Sequence, residues 1–155
     1  MSYKKNIKAI AKRIRDIPDF PKEGIIFKDI TPVLSDIKTF RMALREMAAP
    51  YMDQKIDVVV GIESRGFIFG APIADILGCS FVPVRKPGKL PSKTKSISYE
   101  LEYGSDSLEI HEDAINNEET ILVVDDLLAT GGTAEATCKL ISKLDGNVVG
   151  FTVLI

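Results

Sequence analysis

Histidine and cysteine are scarce in this sequence: His111 is the only histidine, and Cys79 and Cys138 are the only cysteines. A zinc site of cysteine and histidine ligands, or a catalytic triad built on histidine, is very hard to assemble from a single histidine. Cysteines so far apart in the chain cannot supply a disulfide framework either. These absences exclude several enzyme classes and indicate a reducing compartment, so we expect a cytoplasmic protein.

Long apolar runs and a charge imbalance are absent as well. No apolar run approaches the roughly 20 residues that a membrane-spanning helix needs, and the amino-terminal stretch MSYKKNIKAIAKRIR lacks the apolar core of a secretory signal. The chain has 20 basic and 22 acidic residues, so no overall charge draws it to nucleic acid or to an anionic membrane. We therefore expect a soluble protein with no nucleic-acid or membrane partner, in which anion binding depends on local clusters.

The pattern of apolar residues predicts a single α/β domain over residues 1–155. With 45% hydrophobic residues, a chain of this length can bury one sizeable core. The unbroken apolar runs DVVVGI and TILVVDD are typical of strands buried on both faces, and they alternate with predicted helices and with the strands SFVPV and VVGFTVLI. We predict a mostly parallel twisted sheet flanked by helices, with ligands beyond the carboxyl ends of its strands.

Smaller features of the chain lead to three local predictions. The first stretch has isoleucines at helical spacing and predicts an amphipathic helix that Pro18 ends: Ile7, Ile10, Ile14 and Ile17. The proline-rich and glycine-containing residues 18–32 predict an ordered loop with a short strand. The segments ISYELEYG and SLEIH predict a β-hairpin.

The strongest functional pattern is ILVVDDLLATGGTAEA, a buried strand that ends in two acids, followed by a turn of small residues that opens a helix. Backbone N–H groups in such a turn and the helix amino terminus can bind a phosphate, and carboxylates beside it can accept hydrogen bonds from ribose hydroxyls. The alternative is a turn that merely caps a helix. The pattern predicts a sugar-phosphate site formed by Asp125, Asp126, Ala129, Thr130, Gly131, Gly132 and Thr133.

This turn resembles the substrate motif of the type I phosphoribosyltransferases, in which an apolar run and two acids precede a turn that ends in T-G-G-T. The segments FPKEGIIFKDITP, GIESRGFIFG, VRKPGKLP and YELEYG resemble, in the same order, the adenine-specific branch of that family. The resemblance covers nearly the whole chain. It implies the type I phosphoribosyltransferase fold with a small amino-terminal hood loop, residues 18–32, and a mobile catalytic loop, residues 86–98.

The resemblance also implies the reaction and its substrates. These are 5-phosphoribosyl pyrophosphate (PRPP) and adenine, which would give AMP and pyrophosphate. Mg²⁺ would bridge the pyrophosphate oxygens and the sugar hydroxyls, so no direct protein ligand of the metal is expected. A homodimer is expected on the same ground. Family members usually continue past the strand that matches GFTVLI with a further polar segment and a last structural element. We expect this chain to be active only if catalysis does not require that tail.

The pyrophosphate site is likewise assigned by resemblance. It would be formed by Glu63, Ser64, Arg65, Lys86 and Lys89, with a cis peptide bond between Glu63 and Ser64 that presents backbone N–H groups to the anion. On composition alone, the basic stretch from Arg85 to Lys95 is a solvated loop or a weak nucleic-acid patch.

Glu102 is the implied catalytic residue. It would protonate or hydrogen-bond N7 of the purine, with Tyr103 beside it as a supporting residue. The alternative is that Glu102 is one more outward residue of the predicted hairpin, since Glu100 lies two places away.

The base would be bound by the early loop. Phe27 would stack on one face of adenine, Leu127 would cover the other, and the backbone of Ile26 would read its Watson–Crick edge. Lys28 and Asp29 would hold the loop. Phe27 can instead be a core aromatic.

Two other functions remain open at this point. One is a phosphoribosyltransferase for 6-oxopurines, if the early loop does not read the base. The other is a non-catalytic regulator that senses PRPP. Such a protein would need a nucleic-acid-binding domain or a strongly basic face, and the near-neutral composition favours neither.

Overall fold

The computed structural model describes residues 3–100 and 104–155. The chain divides into two compact units, Met1–Ala49 and Pro50–Ile155. Within the described ranges, no helix is long and apolar enough to cross a membrane.

The first unit combines helices with a small antiparallel hairpin. Helix α3 (Ile37–Ala48) begins after Asp36, whose carboxylate accepts a hydrogen bond from the Thr39 N–H, a common way to cap a helix start. The elements of this unit are α1 (Tyr3–Ala11), β1 (Arg15–Pro18), β2 (Ile26–Asp29), α2 (Thr31–Leu34) and α3 (Ile37–Ala48).

The predicted extent of the first helix is wrong. Helix α1 ends at Ala11, and Ile17 lies in strand β1, opposite Phe27 of β2. Pairing with β2 gives the backbone groups along one edge of β1 their hydrogen-bond partners, and this contact between separate segments is not visible in the apolar spacing of one segment.

The second unit is built on a four-stranded sheet in which every neighbouring pair is parallel, and its order is β4 (Ser80–Val84), β3 (Val58–Ile62), β7 (Thr120–Asp125) and β8 (Asn147–Val153). Helices flank this sheet, and a separate antiparallel pair follows β4, so the predicted α/β class is confirmed. The elements are β3 (Val58–Ile62), α4 (Arg65–Leu77), β4 (Ser80–Val84), β5 (Thr94–Glu100), β6 (Ser105–His111), β7 (Thr120–Asp125), α5 (Gly132–Ser142) and β8 (Asn147–Val153). A short 3₁₀ helix, Ala49–Tyr51, precedes them.

The two central strands are buried, as their apolar runs predict. All of β3 is buried, and so are residues 121–124 of β7. Because β3 and β7 are parallel neighbours, their carboxyl ends meet at the same edge of the sheet. The segments that begin at Glu63 and at Asp125 therefore start side by side.

The predicted hairpin is confirmed: β5 and β6 pair from Thr94 opposite His111 to Glu100 opposite Ser105. Residues 94–98 of the predicted catalytic loop lie in β5, whereas residues 86–93 have no helix or strand. The mobility of residues 86–98 stays a prediction, as does the organisation of residues 1–155 as a single functional domain.

Candidate functional site

The turn after β7 lines a cavity of about 210 Å³ in the second unit. Every residue predicted to bind the phosphoribosyl group lies on its wall, together with the predicted residues Arg65 and Leu127. The full lining is Arg65, Asp125, Asp126, Leu127, Leu128, Ala129, Thr130, Gly131, Gly132, Thr133, Ala134 and Phe151. Residues from three separate parts of the chain thus meet around one cavity.

The turn itself has the geometry of an anion site. Gly131 has a φ of 87°, a conformation that glycine adopts without the steric cost other residues meet, and it immediately precedes α5. The N–H groups of the first helical turn have no partner within the helix, and the helix dipole favours negative charge there. The cavity can therefore accept a phosphate at the start of α5.

The two acids at the end of β7 have different surroundings. Asp126 is only 5% exposed, and its Oδ2 lies 2.6 Å from Arg65 Nη2. Among the described residues, this Oδ2 accepts no hydrogen bond of normal geometry, so the ion pair with Arg65 compensates its buried charge. The Asp126 N–H donates to Asp125 Oδ1 at 2.8 Å.

The protonation of Asp125 is shifted by this environment. Burial raises the pKa of Asp125 to about 7, and the nearby Asp126 carboxylate adds to the rise. The hydrogen bond from the Asp126 N–H and the charge of Arg65 act in the opposite direction without overcoming burial. Asp125 is thus a carboxyl group that changes charge near neutral pH.

We expect the substrate-free protein to lose stability as the pH rises from about 5 to about 8. The folded-state pKa of Asp125 lies above its ordinary value of 3.8, so between these values the folded state binds more protons than the unfolded state. Melting temperatures across this range should therefore fall for the wild type and fall less for Asp125→Asn. Equal slopes for the two proteins would contradict the shift.

Arg65 reaches the cavity because α4 begins very close to the end of β7. A Cβ atom at the next residue, Gly66, would lie 2.8 Å from the Val124 carbonyl oxygen and 3.1 Å from Asp125 Oδ1. Only glycine permits this approach without a shift of backbone. Because a guanidinium carries several N–H donors, Arg65 can contact Asp126 and a substrate anion together.

The other predicted pyrophosphate residues, Glu63, Ser64, Lys86 and Lys89, are not among the residues that line this cavity. The peptide bond between Glu63 and Ser64 is cis, which confirms the geometry that the resemblance implies. The Glu63 carboxylate accepts the Lys86 N–H at 2.8 Å and pairs with Arg85 Nε at 3.2 Å. Glu63 thereby connects the end of β3 to the segment after β4. Lys89 is exposed.

The residues predicted to bind the base lie in different units. Ile26, Phe27 and Lys28 belong to strand β2 of the first unit, whereas Leu127 belongs to the second. Ile26 is 61% exposed, and Phe27 is partly buried with its ring 5.1 Å from Phe20 in an edge-to-face contact. Lys28 Nζ lies 2.6 Å from Asp16 Oδ1.

Asp29 holds the same hairpin through an ion pair with Arg15 at 2.6 Å and through the Thr31 N–H at 2.9 Å. The predicted catalytic residue Glu102 and its neighbour Tyr103 lie outside the described residues.

Comparison with known proteins identifies the family. The family described as "Phosphoribosyl transferase domain" matches residues 33–155. The adenine phosphoribosyltransferase of Myxococcus xanthus is 59% identical over 143 residues, which are 92% of this chain and 78% of that protein. The chain belongs to the adenine phosphoribosyltransferase family.

Solved structures of this family share the fold. The crystal structure of adenine phosphoribosyltransferase from Rhodothermus marinus matches with a TM-score of 0.92 at 49% identity, over 97% of this chain and 85% of that one. The Saccharomyces cerevisiae adenine phosphoribosyltransferase was solved with D-2,5-dideoxy-2,5-imino-altritol 1,6-bisphosphate and adenine. It matches with a TM-score of 0.87 at 38% identity, over 96% of this chain and 89% of that one. The resemblance that the motifs carried is confirmed.

Proposed function

We propose that this protein transfers the phosphoribosyl group of PRPP to adenine and releases AMP and pyrophosphate. The observation that carries the proposal is the cavity after β7, where the phosphate turn, the acid pair and Arg65 meet in a chain of the adenine phosphoribosyltransferase family. The yeast relative was solved with adenine and a sugar-like bisphosphate, which supports the same pair of ligand types here.

The cavity would bind PRPP by its two ends. The 5-phosphate would accept hydrogen bonds from the backbone N–H groups of residues 129–133 and lie at the start of α5. The ribose hydroxyls would donate to the carboxylates of Asp125 and Asp126. Arg65, already paired with Asp126, would face the pyrophosphate, with Lys86 and Lys89 supplying further positive charge. This arrangement fixes the sugar while leaving its anomeric carbon accessible to the base.

The reaction exchanges one bond at that carbon for another. N9 of adenine donates an electron pair to the anomeric carbon, while the bond to pyrophosphate breaks and its electron pair leaves with the oxygen. Negative charge grows on the leaving group and positive character develops on the sugar, so fixed cations such as Arg65 lower the barrier. Adenine attacks through N9 with its ring proton on N7, and Glu102 would accept that proton as the bond to N9 forms.

Mg²⁺ is the proposed cofactor, and the donor set fits an ion held mainly through substrate. Within residues 3–100 and 104–155, no group of three histidine, cysteine, aspartate or glutamate side chains can hold a metal. Asp125 and Asp126 offer the hard oxygen atoms that Mg²⁺ prefers, acting through the ribose hydroxyls or water. When bound, the ion would neutralise charge on the departing pyrophosphate.

A homodimer is proposed on the resemblance alone, whereas a cytoplasmic location is proposed because the two distant cysteines are typical of a reducing compartment. The base-binding roles of Ile26, Phe27 and Leu127, with Lys28 and Tyr103 in support, are proposed on the resemblance.

The proposed function is tested by offering adenine, hypoxanthine and guanine as parallel acceptors with PRPP and Mg²⁺. We expect AMP from adenine and little or no IMP or GMP, because a backbone acceptor that reads the 6-amino group rejects a 6-oxo group by up to roughly 10⁴-fold. IMP or GMP as the main product would assign the protein to the 6-oxopurine enzymes. Binding of PRPP without any product would instead favour a sensor.

A further inference from the structure

A chain of polar contacts links the segment after β4 to the phosphate turn through the β5–β6 hairpin. The Lys86 ammonium contacts Asp106 Oδ2. The Tyr99 hydroxyl lies 3.5 Å from the same Oδ2 and 3.2 Å from Thr133 Oγ1. We call these four residues, Lys86, Asp106, Tyr99 and Thr133, the hairpin relay. All of them belong to the second unit, and Thr133 lines the cavity.

The register of the hairpin explains the middle of the relay. Tyr99 and Asp106 are directly opposite each other on β5 and β6, so their side chains project from the same face. The Tyr99 ring packs against the buried core of the second unit. Because that packing fixes the ring, the hydroxyl is held at one position between Asp106 and Thr133.

The Lys86 end of the relay is held through its backbone as well as its side chain. The Lys86 N–H donates to Glu63 Oε2 at 2.8 Å, and the preceding residue, Arg85, forms a backbone bridge to Glu109 of β6. A lysine ammonium has three N–H donors, so contact with Asp106 uses one and directs the others. The contact with Asp106 therefore restricts the Lys86 side chain to fewer rotamers and sets the direction of its ammonium group.

The number of hydroxyl protons makes the relay sensitive to what occupies the turn. Tyr99 has one hydroxyl proton, which can be donated to Asp106 or to Thr133 but not fully to both. If Thr133 donates its own proton to a bound phosphate, its oxygen becomes the acceptor for Tyr99. Phosphate binding would then turn the Tyr99 hydroxyl proton from Asp106 to Thr133. Within the relay, Asp106 would keep only the Lys86 ammonium as a donor, and their ion pair would become stronger.

We propose that Asp106 and Tyr99 are positioning residues for phosphoribosyl transfer. Asp106 orients the Lys86 ammonium toward the pyrophosphate, and Tyr99 connects Asp106 to the phosphate turn through its contact with Thr133. This inference rests on the proposed function, in which Lys86 contacts pyrophosphate. Neither residue needs to touch the substrate, because each acts through a neighbour.

Asp106→Asn is expected to lower kcat by roughly tenfold with the KM for adenine unchanged, because asparagine lacks the negative charge that pairs with Lys86 and orients its ammonium toward the leaving group. In a Lys86→Met background the same substitution should change kcat little, since the group that Asp106 aims is already missing. The matched control is Glu112→Gln, which removes a 3.5 Å ion pair with Lys95 beside the same hairpin and should leave kcat at the wild-type value.

Tyr99→Phe is the second variant, since it keeps the packed ring and removes only the hydroxyl. We expect the KM for PRPP to rise about threefold, in line with one neutral hydrogen bond. Wild-type kinetics in both Asp106→Asn and Tyr99→Phe would overturn the inference. So would an equal loss of kcat from Asp106→Asn in the presence and absence of Lys86, because that result assigns Asp106 a purely structural role. An inactive wild-type protein would instead overturn the proposed function itself.

Discussion

Replacing Glu102 with glutamine is expected to lower kcat by about a hundredfold or more, while adenine binds nearly as it does to the wild type. Glutamine keeps the size of glutamate and can still hydrogen-bond the purine, but it cannot exchange a proton with N7. The loss should therefore appear in the chemical step. Single-turnover AMP formation measures that step, and calorimetric titration with adenine measures binding.

Glu100→Gln is the matched control for this experiment. Glu100 lies two residues earlier in the segment YELEYG, at the exposed end of β5. We expect this variant to keep wild-type kcat. If Glu102→Gln also kept wild-type kcat, Glu102 would have no part in catalysis, and the alternative that it is an outward residue of the hairpin would hold.

Replacing Gly66 with alanine is expected to damage both stability and activity. The added methyl group would lie 2.8 Å from the Val124 carbonyl oxygen, which is backbone and cannot move aside cheaply. Relief requires a shift of α4 or of the end of β7, at a cost of about 1–3 kcal/mol in the free energy of unfolding. The same shift moves Arg65 relative to Asp126, and a misplacement of this size lowers kcat/KM for PRPP by on the order of a hundredfold.

Thermal melting and steady-state kinetics of Gly66→Ala test this expectation. Gly132→Ala is the control for the melting experiment, because a Cβ atom there meets its nearest neighbours at 3.6 Å, an ordinary contact. It should melt at or above the wild-type temperature. A Gly66→Ala protein with wild-type melting temperature and kinetics would show that the close approach of α4 to β7 is not required.

The buried strands and the phosphate turn could be predicted because their signals are local. A strand covered on both faces has to be apolar at every position, as β3 is, and a turn that requires a positive φ favours glycine, as at Gly131. The same local argument failed at Ile17, since an isoleucine fits a helix or a strand and only the distant strand β2 decides between them.

Contacts between distant segments were the part of the site that the sequence did not reveal. Phe151 lines the cavity because β8 lies next to β7, and strand order is not written in the spacing of apolar residues. The pair of Tyr99 and Asp106 was accessible in principle, because a hairpin centred on the segment between them sets them opposite each other. Their connection to Lys86 and Thr133 required the folded structure.

The electrostatics of the acid pair were also beyond the sequence. Two adjacent aspartates at a strand end predict oxygen acceptors for ribose, and that much followed from residue type. The ion pair of Asp126 with Arg65 and the raised pKa of Asp125 depend on how deeply each carboxylate is buried. Burial of a particular side chain is a property of the packed molecule.

The proposed activity is tested most directly by incubating the wild-type protein with PRPP, Mg²⁺ and adenine and measuring both products by anion-exchange chromatography. We predict AMP and pyrophosphate in equal amounts, with almost no pyrophosphate when adenine is omitted. Pyrophosphate release that does not depend on adenine, or the absence of AMP while PRPP binds, would contradict the assignment of this protein as an adenine phosphoribosyltransferase.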